Sequence, residues 1–110
     1  MFLNGGSWEG VRLLGEATVR AMTQDQTREM PDLPASGKLR HRWGLGWRLR
    51  DAGLYGDLVS PRTFGHGGAT GTVAWMDPES GVSFVLLTNQ ADAAKILRPR
   101  LSNVIASAVL

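Results

Sequence analysis

The sequence contains no cysteine, which removes disulfide frameworks, thiolate nucleophiles and Cys-ligated zinc or iron–sulfur centres. The redox compartment stays open, because a chain without cysteine is compatible with either side of a membrane. A dominant charge is also lacking. Twelve Lys and Arg stand against ten Asp and Glu, a formal net charge of +2, so no field points to a nucleic-acid partner. Long apolar runs are missing too: the longest, VSFVLL at 82–87, has strand length and falls far short of the ~20 residues of a membrane-spanning helix. The opening MFLNGGSWEG has no basic stretch leading into an apolar one. No secretory leader is therefore expected, and the chain as given reads as soluble and cytoplasmic, with the compartment of any longer parent left open. His41 and His66 have neither cysteine partners nor helical spacing, so no metal and no cofactor is expected.

What is present is 110 residues, 43% of them hydrophobic and 20% charged, room for one modest core. Gly15 is an acceptable N-cap for a short helix carrying Ala17, Val19, Ala21 and Met22, with Glu16 in its first turn. From Gln24 to Lys38 the chain is polar and interrupted by Pro31 and Pro34, a long surface loop. Residues 40–50 alternate strictly. Trp43, Leu45, Trp47 and Leu49 would face a core, while Arg40, Arg42, Arg48 and Arg50 would form a solvated basic stripe. Asp51, Gly53 and Gly56 mark a turn or hairpin, with Tyr55 as its aromatic. Val73, Trp75 and Asp77 alternate ahead of the turn DPESG at 77–81, where Asp77 and Glu79 read as solubilising turn residues. VSFVLLTN at 82–89 completes that hairpin and, being apolar on nearly both faces, reads as a central strand covered on each side. Leu97, Leu101, Val104, Ile105 and Ala108 form the stripe of an amphipathic C-terminal helix with Pro99 in its first turn. The order predicts an α+β fold, an antiparallel β-sheet flanked by helices, whose cover is incomplete.

The segment FGHGGATGT at 64–72 carries the most chemistry. Four glycines around His66 leave bare main chain beside a titratable group, which would suit a substrate carbonyl or the oxyanion that develops from it. The plainer alternative, favoured by residue types alone, is a bulge at Gly67 and Gly68 with His66 packing locally. The glycine spacing misses a nucleotide-binding loop, because Thr70 stands where G-x-G-x-x-G requires glycine.

FGHGGATGT, AWMDPESG and VSFVLLTN, in that order after NGGSWEGVRLLGEATVRAMTQDQ, together resemble the C-terminal part of the serine β-lactamase and penicillin-binding-protein group. Within it the nearest likeness is to class C β-lactamases, D-aminopeptidases and family VIII esterases. The likeness covers essentially the whole chain. It implies a β-lactamase/transpeptidase-like fold and acyl transfer through an S-x-x-K serine, a Tyr- or Ser-centred second motif, and a K-T-G or H-x-G strand. By that resemblance His66, Gly67 and Gly68 stand on the third motif, and Ala69 would contribute an oxyanion-hole N–H. None of Ser7, Ser36, Ser60, Ser80, Ser83, Ser102 and Ser107 has lysine three residues on, so the nucleophile motif is absent from these residues. Tyr55-Gly56-Asp57 lies too close to the third motif to serve as the second. The resemblance therefore implies that residues 1–110 are the C-terminal portion of such a hydrolase, inactive alone, whose parent would act on an ester, peptide or β-lactam. The alternative is an accessory module that associates through exposed sheet edges, with itself or with an N-terminal complementing chain.

Overall fold

The computed structural model describes residues 1–30 and 41–109. Pro31, Pro34 and most of the expected 24–38 loop, like Arg40, lie outside the described residues. A small hairpin, β1 (Ser7–Trp8) and β2 (Val11–Arg12), precedes helix α1 (Glu16–Thr23), which begins at Gly15 as expected and buries Val19. Five antiparallel strands then form one sheet in the order β3 (Arg42–Trp43), β4 (Arg48–Leu49), β5 (Phe64–Gly67), β6 (Val73–Asp77), β7 (Val82–Leu86). A four-residue helix, α2 (Ala52–Tyr55), separates β4 from β5, and α3 (Ala94–Ser107) ends the fold. The architecture is α+β.

The strand expected over residues 40–50 is instead a hairpin. Gly46 has φ +81°, and a Cβ on Gly44 would lie 1.9 Å from the Met22 carbonyl oxygen. Only glycine permits this close turn, which Gly44 N–H to Trp47 O and Leu45 N–H to Met22 O hold at 2.8 and 3.0 Å. The alternation of glycine with large residues reflects that turn: Trp47 packs against Phe2 and Phe64, and Trp43 against His66, outside the core cluster around Trp75. Arg48 and Arg50 are half-buried rather than solvated: Arg48 pairs with the Asp51 carboxylate, and Arg50 donates to the carbonyls of Gly56 and Asp57.

Cross-strand register assigns the two sheet faces. Val73, Trp75, Phe84 and Leu86 point to the helices, where Leu54, Tyr55, Val59 and Ala106 close a core around Trp75, which is 1% exposed. Helix α3 enters this core with Ala94, Ser102 and Ala106, members of one i, i+4 row. The predicted stripe is displaced only in part: Leu101 and Val104 are exposed, whereas Leu97 is half-buried and Ile105 packs against the core. Small residues win the buried row because they let the helix approach, and Ser102 Oγ accepts the Trp75 indole N–H at 2.9 Å. Pro99 lies inside the helix rather than in its first turn, so the Lys95 carbonyl forgoes its helical donor. Asp77 is a buried anchor, not a solubilising residue. It accepts from Ser60 N–H, Ser60 Oγ–H and Glu79 N–H. Burial alone would raise its carboxyl, but these hydrogen bonds prevail and hold it below its ordinary value.

The opposite face is only partly covered. Phe2 and Trp47 pack edge-on against Phe64, with ring centroids 6.0 and 5.7 Å away. Beyond them Val85 is 60% and Leu87 80% exposed. Strand β7 is an edge strand, not the doubly covered central strand that its composition predicts.

Candidate active-site ledge on strand 5

Strand β5 pairs with β6 along its length, Phe64 with Met76 through Gly67 with Val73. On its other side it meets β4 only at Phe64 and Gly65. Gly68 N–H bonds to Thr72 O at 2.8 Å, while Thr63 O accepts from Arg50 on the β4 side at 2.8 Å. The alternation of an antiparallel ladder therefore turns the main-chain groups of Gly67 outward, past the last rung of β4. A short open edge results.

His66 shares a face with Ala74 and Val85, away from the helices, and is exposed. Its Nδ1 lies 2.6 Å from Gly67 O. A carbonyl only accepts, so Nδ1 carries the proton and Nε2 of the neutral ring is left as an acceptor. The Trp43 ring stands 5.6 Å away, centroid to centroid, and forms a wall beside the imidazole.

The glycines also have packing reasons. A Cβ on Gly65 would sit 2.1 Å from Ala74 O, and one on Gly68 2.1 Å from Thr72 Oγ1; one on Gly67 would press on Leu54 and the Arg98 guanidinium at 3.2 and 3.3 Å. The segment is not a bulge: Gly67 is a regular ladder residue, and Gly68 opens a tight turn closed by Gly71 N–H to Gly68 O at 3.2 Å. Ala69, exposed on that turn, offers an N–H that meets no acceptor among the described residues. His66, Gly67, Gly68 and Ala69 thus form one contiguous stretch.

Sequence reading misses Arg98. It belongs to the buried row 94, 98, 102, 106 of α3, and its guanidinium reaches over to the turn. Nε donates to Gly71 O at 3.1 Å and Thr72 O at 3.0 Å, and Nη2 donates to Gly68 O. The signal is the four-residue spacing of small and polar residues, hidden by the larger leucines beside it. Tyr55, expected as a hairpin aromatic, is fully buried and donates to Arg48 O at 3.0 Å. Burial pushes its hydroxyl well above the ordinary range. Among the described residues no group of three or more His, Asp or Glu is placed to hold a metal.

Comparison with known proteins identifies the family and the fold. The family pattern described as Beta-lactamase matches residues 2–106. A protein of Escherichia coli K12 provisionally named a D-alanyl-D-alanine carboxypeptidase is 36% identical over 92 residues, 80% of this chain but 19% of its own length. A Salmonella paratyphi B protein of the same name is 31% identical over 115 residues, all of this chain and 24% of its own. Among solved structures, a β-lactamase from Mycobacterium bovis superposes with a TM-score of 0.73 at 32% identity, covering 89% of this chain and 39% of that one. A penicillin-binding-protein homologue from Caulobacter crescentus shares the fold, with a TM-score of 0.66 at 23% identity over 96% of this chain and 29% of its own. The chain spans about a fifth to two-fifths of the relatives it matches.

Proposed function

Because the chain belongs to the beta-lactamase family, we propose that residues 1–110 act as the C-terminal part of a serine hydrolase domain that works by acyl transfer. In this reading the open edge of β5 binds the substrate main chain. Ala69 N–H then steadies negative charge on the acyl oxygen, and His66, through Nε2, exchanges a proton with the leaving group or the nucleophile's partner. The attacking hydroxyl comes from an S-x-x-K segment on other polypeptide. The substrate is an ester, a peptide ending in a D-amino acid or a β-lactam. The peptide is favoured by the names of the E. coli and Salmonella relatives, and histidine in place of lysine argues against a dedicated β-lactamase. The observation that carries the reading is an Ala69 N–H with no acceptor among the described residues, in the turn that follows the exposed His66, on an edge where β4 has ended.

A fusion tests it. The N-terminal portion of the M. bovis relative, ending where this chain's match begins, is joined to residues 1–110, and hydrolysis of p-nitrophenyl acetate, a D-alanyl-D-alanine peptide and nitrocefin is followed. Ala69→Pro deletes the N–H. It is expected to lower kcat roughly 10²- to 10³-fold, the usual cost of one oxyanion donor, and His66→Ala roughly 10²-fold or more. A fusion that reacts with a fluorophosphonate yet turns over equally well with both substitutions would overturn the proposal.

A second reading draws on the exposed Val85 and Leu87 beside the free edge of β7: this surface receives a complementing N-terminal chain or a second copy. Sedimentation of the purified chain distinguishes the two, since the hydrolase reading requires no self-association.

A further inference from the structure

We infer that Arg98 of α3 is a positioning residue for the ledge: its guanidinium fixes the plane of the Gly68–Ala69 peptide unit and polarises it, so that Ala69 N–H becomes a stronger, better-aimed donor. The inference rests on the hydrolase reading above and adds a residue that lies behind the ledge rather than on it.

The chemistry follows from one shared peptide group. Gly68 C=O and Ala69 N–H belong to the same planar amide, with no cis bond among the described residues, so they point in opposite directions. Arg98 Nη2 donates to that carbonyl, and Gly71 N–H donates to it as well. A charged donor on the oxygen draws electron density along the amide and leaves the hydrogen on nitrogen more positive, as cooperative hydrogen bonds do. The guanidinium is itself locked. Its Nε bonds to Gly71 O and Thr72 O, and its stem rises from the buried row of α3, so the fork is held in one orientation. No carboxylate is paired with Arg98 among the described residues. Its charge is therefore directed at the turn's carbonyls. Gly67 makes room for it, because a Cβ there would crowd Cζ and Nη1 at 3.3 and 3.4 Å. Three carbonyls of one turn converge on one arginine, while the Ala69 N–H meets no acceptor among the described residues.

Two measurements test this. In the ¹⁵N-labelled chain, Arg98→Gln is expected to move the Ala69 amide proton upfield and slow its base-catalysed exchange, with Arg98→Lys intermediate. In the fusion, Arg98→Gln is expected to lower kcat roughly tenfold while KM stays within about twofold, and millimolar guanidinium to restore part of the turnover of Arg98→Ala. An unmoved Ala69 resonance in Arg98→Gln, or a kcat unchanged while Ala69→Pro abolishes turnover, would overturn the role of Arg98. Unchanged turnover in Ala69→Pro overturns the ledge itself, and this inference with it. Should Arg98→Ala fail to fold, Arg98→Lys, which keeps charge and stem, carries the comparison. Wild-type resonance and turnover in Arg98→Lys would show that a charge without the fork suffices, and would overturn the positioning role.

Discussion

The two faces of the sheet are built from the same strands yet have opposite fates. On the helix side, Trp75, Val73 and Phe84 meet α2 and α3, and the polar atoms they bring are paired: the Trp75 indole on Ser102, the Asp77 carboxylate on Ser60 and Glu79. One residue along each strand, Ala74, Val85 and His66 look outward into incomplete cover. Period-two alternation makes such a contrast possible, since neighbours in sequence occupy different environments. The covered face holds the fold together, and the open face with its glycine edge carries the candidate chemistry. Arg98 connects them, reaching from the helix side to the turn that ends β5.

Removing the centre of the covered face tests the contrast most severely. Trp75→Ala deletes the largest fully buried side chain and orphans Ser102, and about 3–5 kcal/mol of stability should be lost. A domain of this size is stable by only about 5–15 kcal/mol in all. Urea denaturation followed by fluorescence should therefore find the variant's midpoint far below that of the wild type. Asp77→Ala should cost less, about 1–3 kcal/mol, because Ser60 and Glu79 lose a buried acceptor. The pH dependence has a definite sign. The folded carboxyl lies below its ordinary value, so the unfolded chain binds the proton more readily. The contribution of Asp77 is complete above the ordinary carboxylate value and is lost as pH falls through the depressed one. Thermal melts of wild type and Asp77→Ala should converge only as pH falls through the depressed value, whereas melts near pH 7 should stay apart.

Much of this was legible in residue order, and the exceptions share a cause. The β6–β7 hairpin, the start of α1 at Gly15 and the glycine-rich strand follow from local chemistry: a turn sequence, a cap and bare backbone. The 40–50 segment was misread because Gly44 and Gly46 fit alternation as well as a turn, and only the close approach of Met22 decides between them. The face of α3 was misread because large apolar residues dominate a periodicity, whereas burial here selects the small row of Ala94, Ser102 and Ala106. Strand β7 is apolar on both sides yet uncovered on one, and composition cannot say which neighbours are present. His66 to Ala69 stood out through their glycines. Arg98 did not, because an arginine aimed at carbonyls looks in sequence like any helix-surface cation.

The smallest effect discriminates most finely between the faces. Phe84 and Val85 are adjacent in β7, yet Phe84 lies 5.6 Å from the Trp75 ring whereas Val85 is 60% exposed. Placing lysine at each asks the same strand the same question on both sides. Phe84→Lys strips an aromatic from the core margin and should cost about 2–4 kcal/mol. Val85→Lys removes little buried area and should change stability by no more than about 0.5 kcal/mol, while raising solubility by placing charge beside a bare edge. Urea midpoints compared at several protein concentrations check both. Equal losses at the two positions would mean that the outer face is covered in solution. A loss at Val85 that grows with concentration would identify the cover as a second copy of the chain.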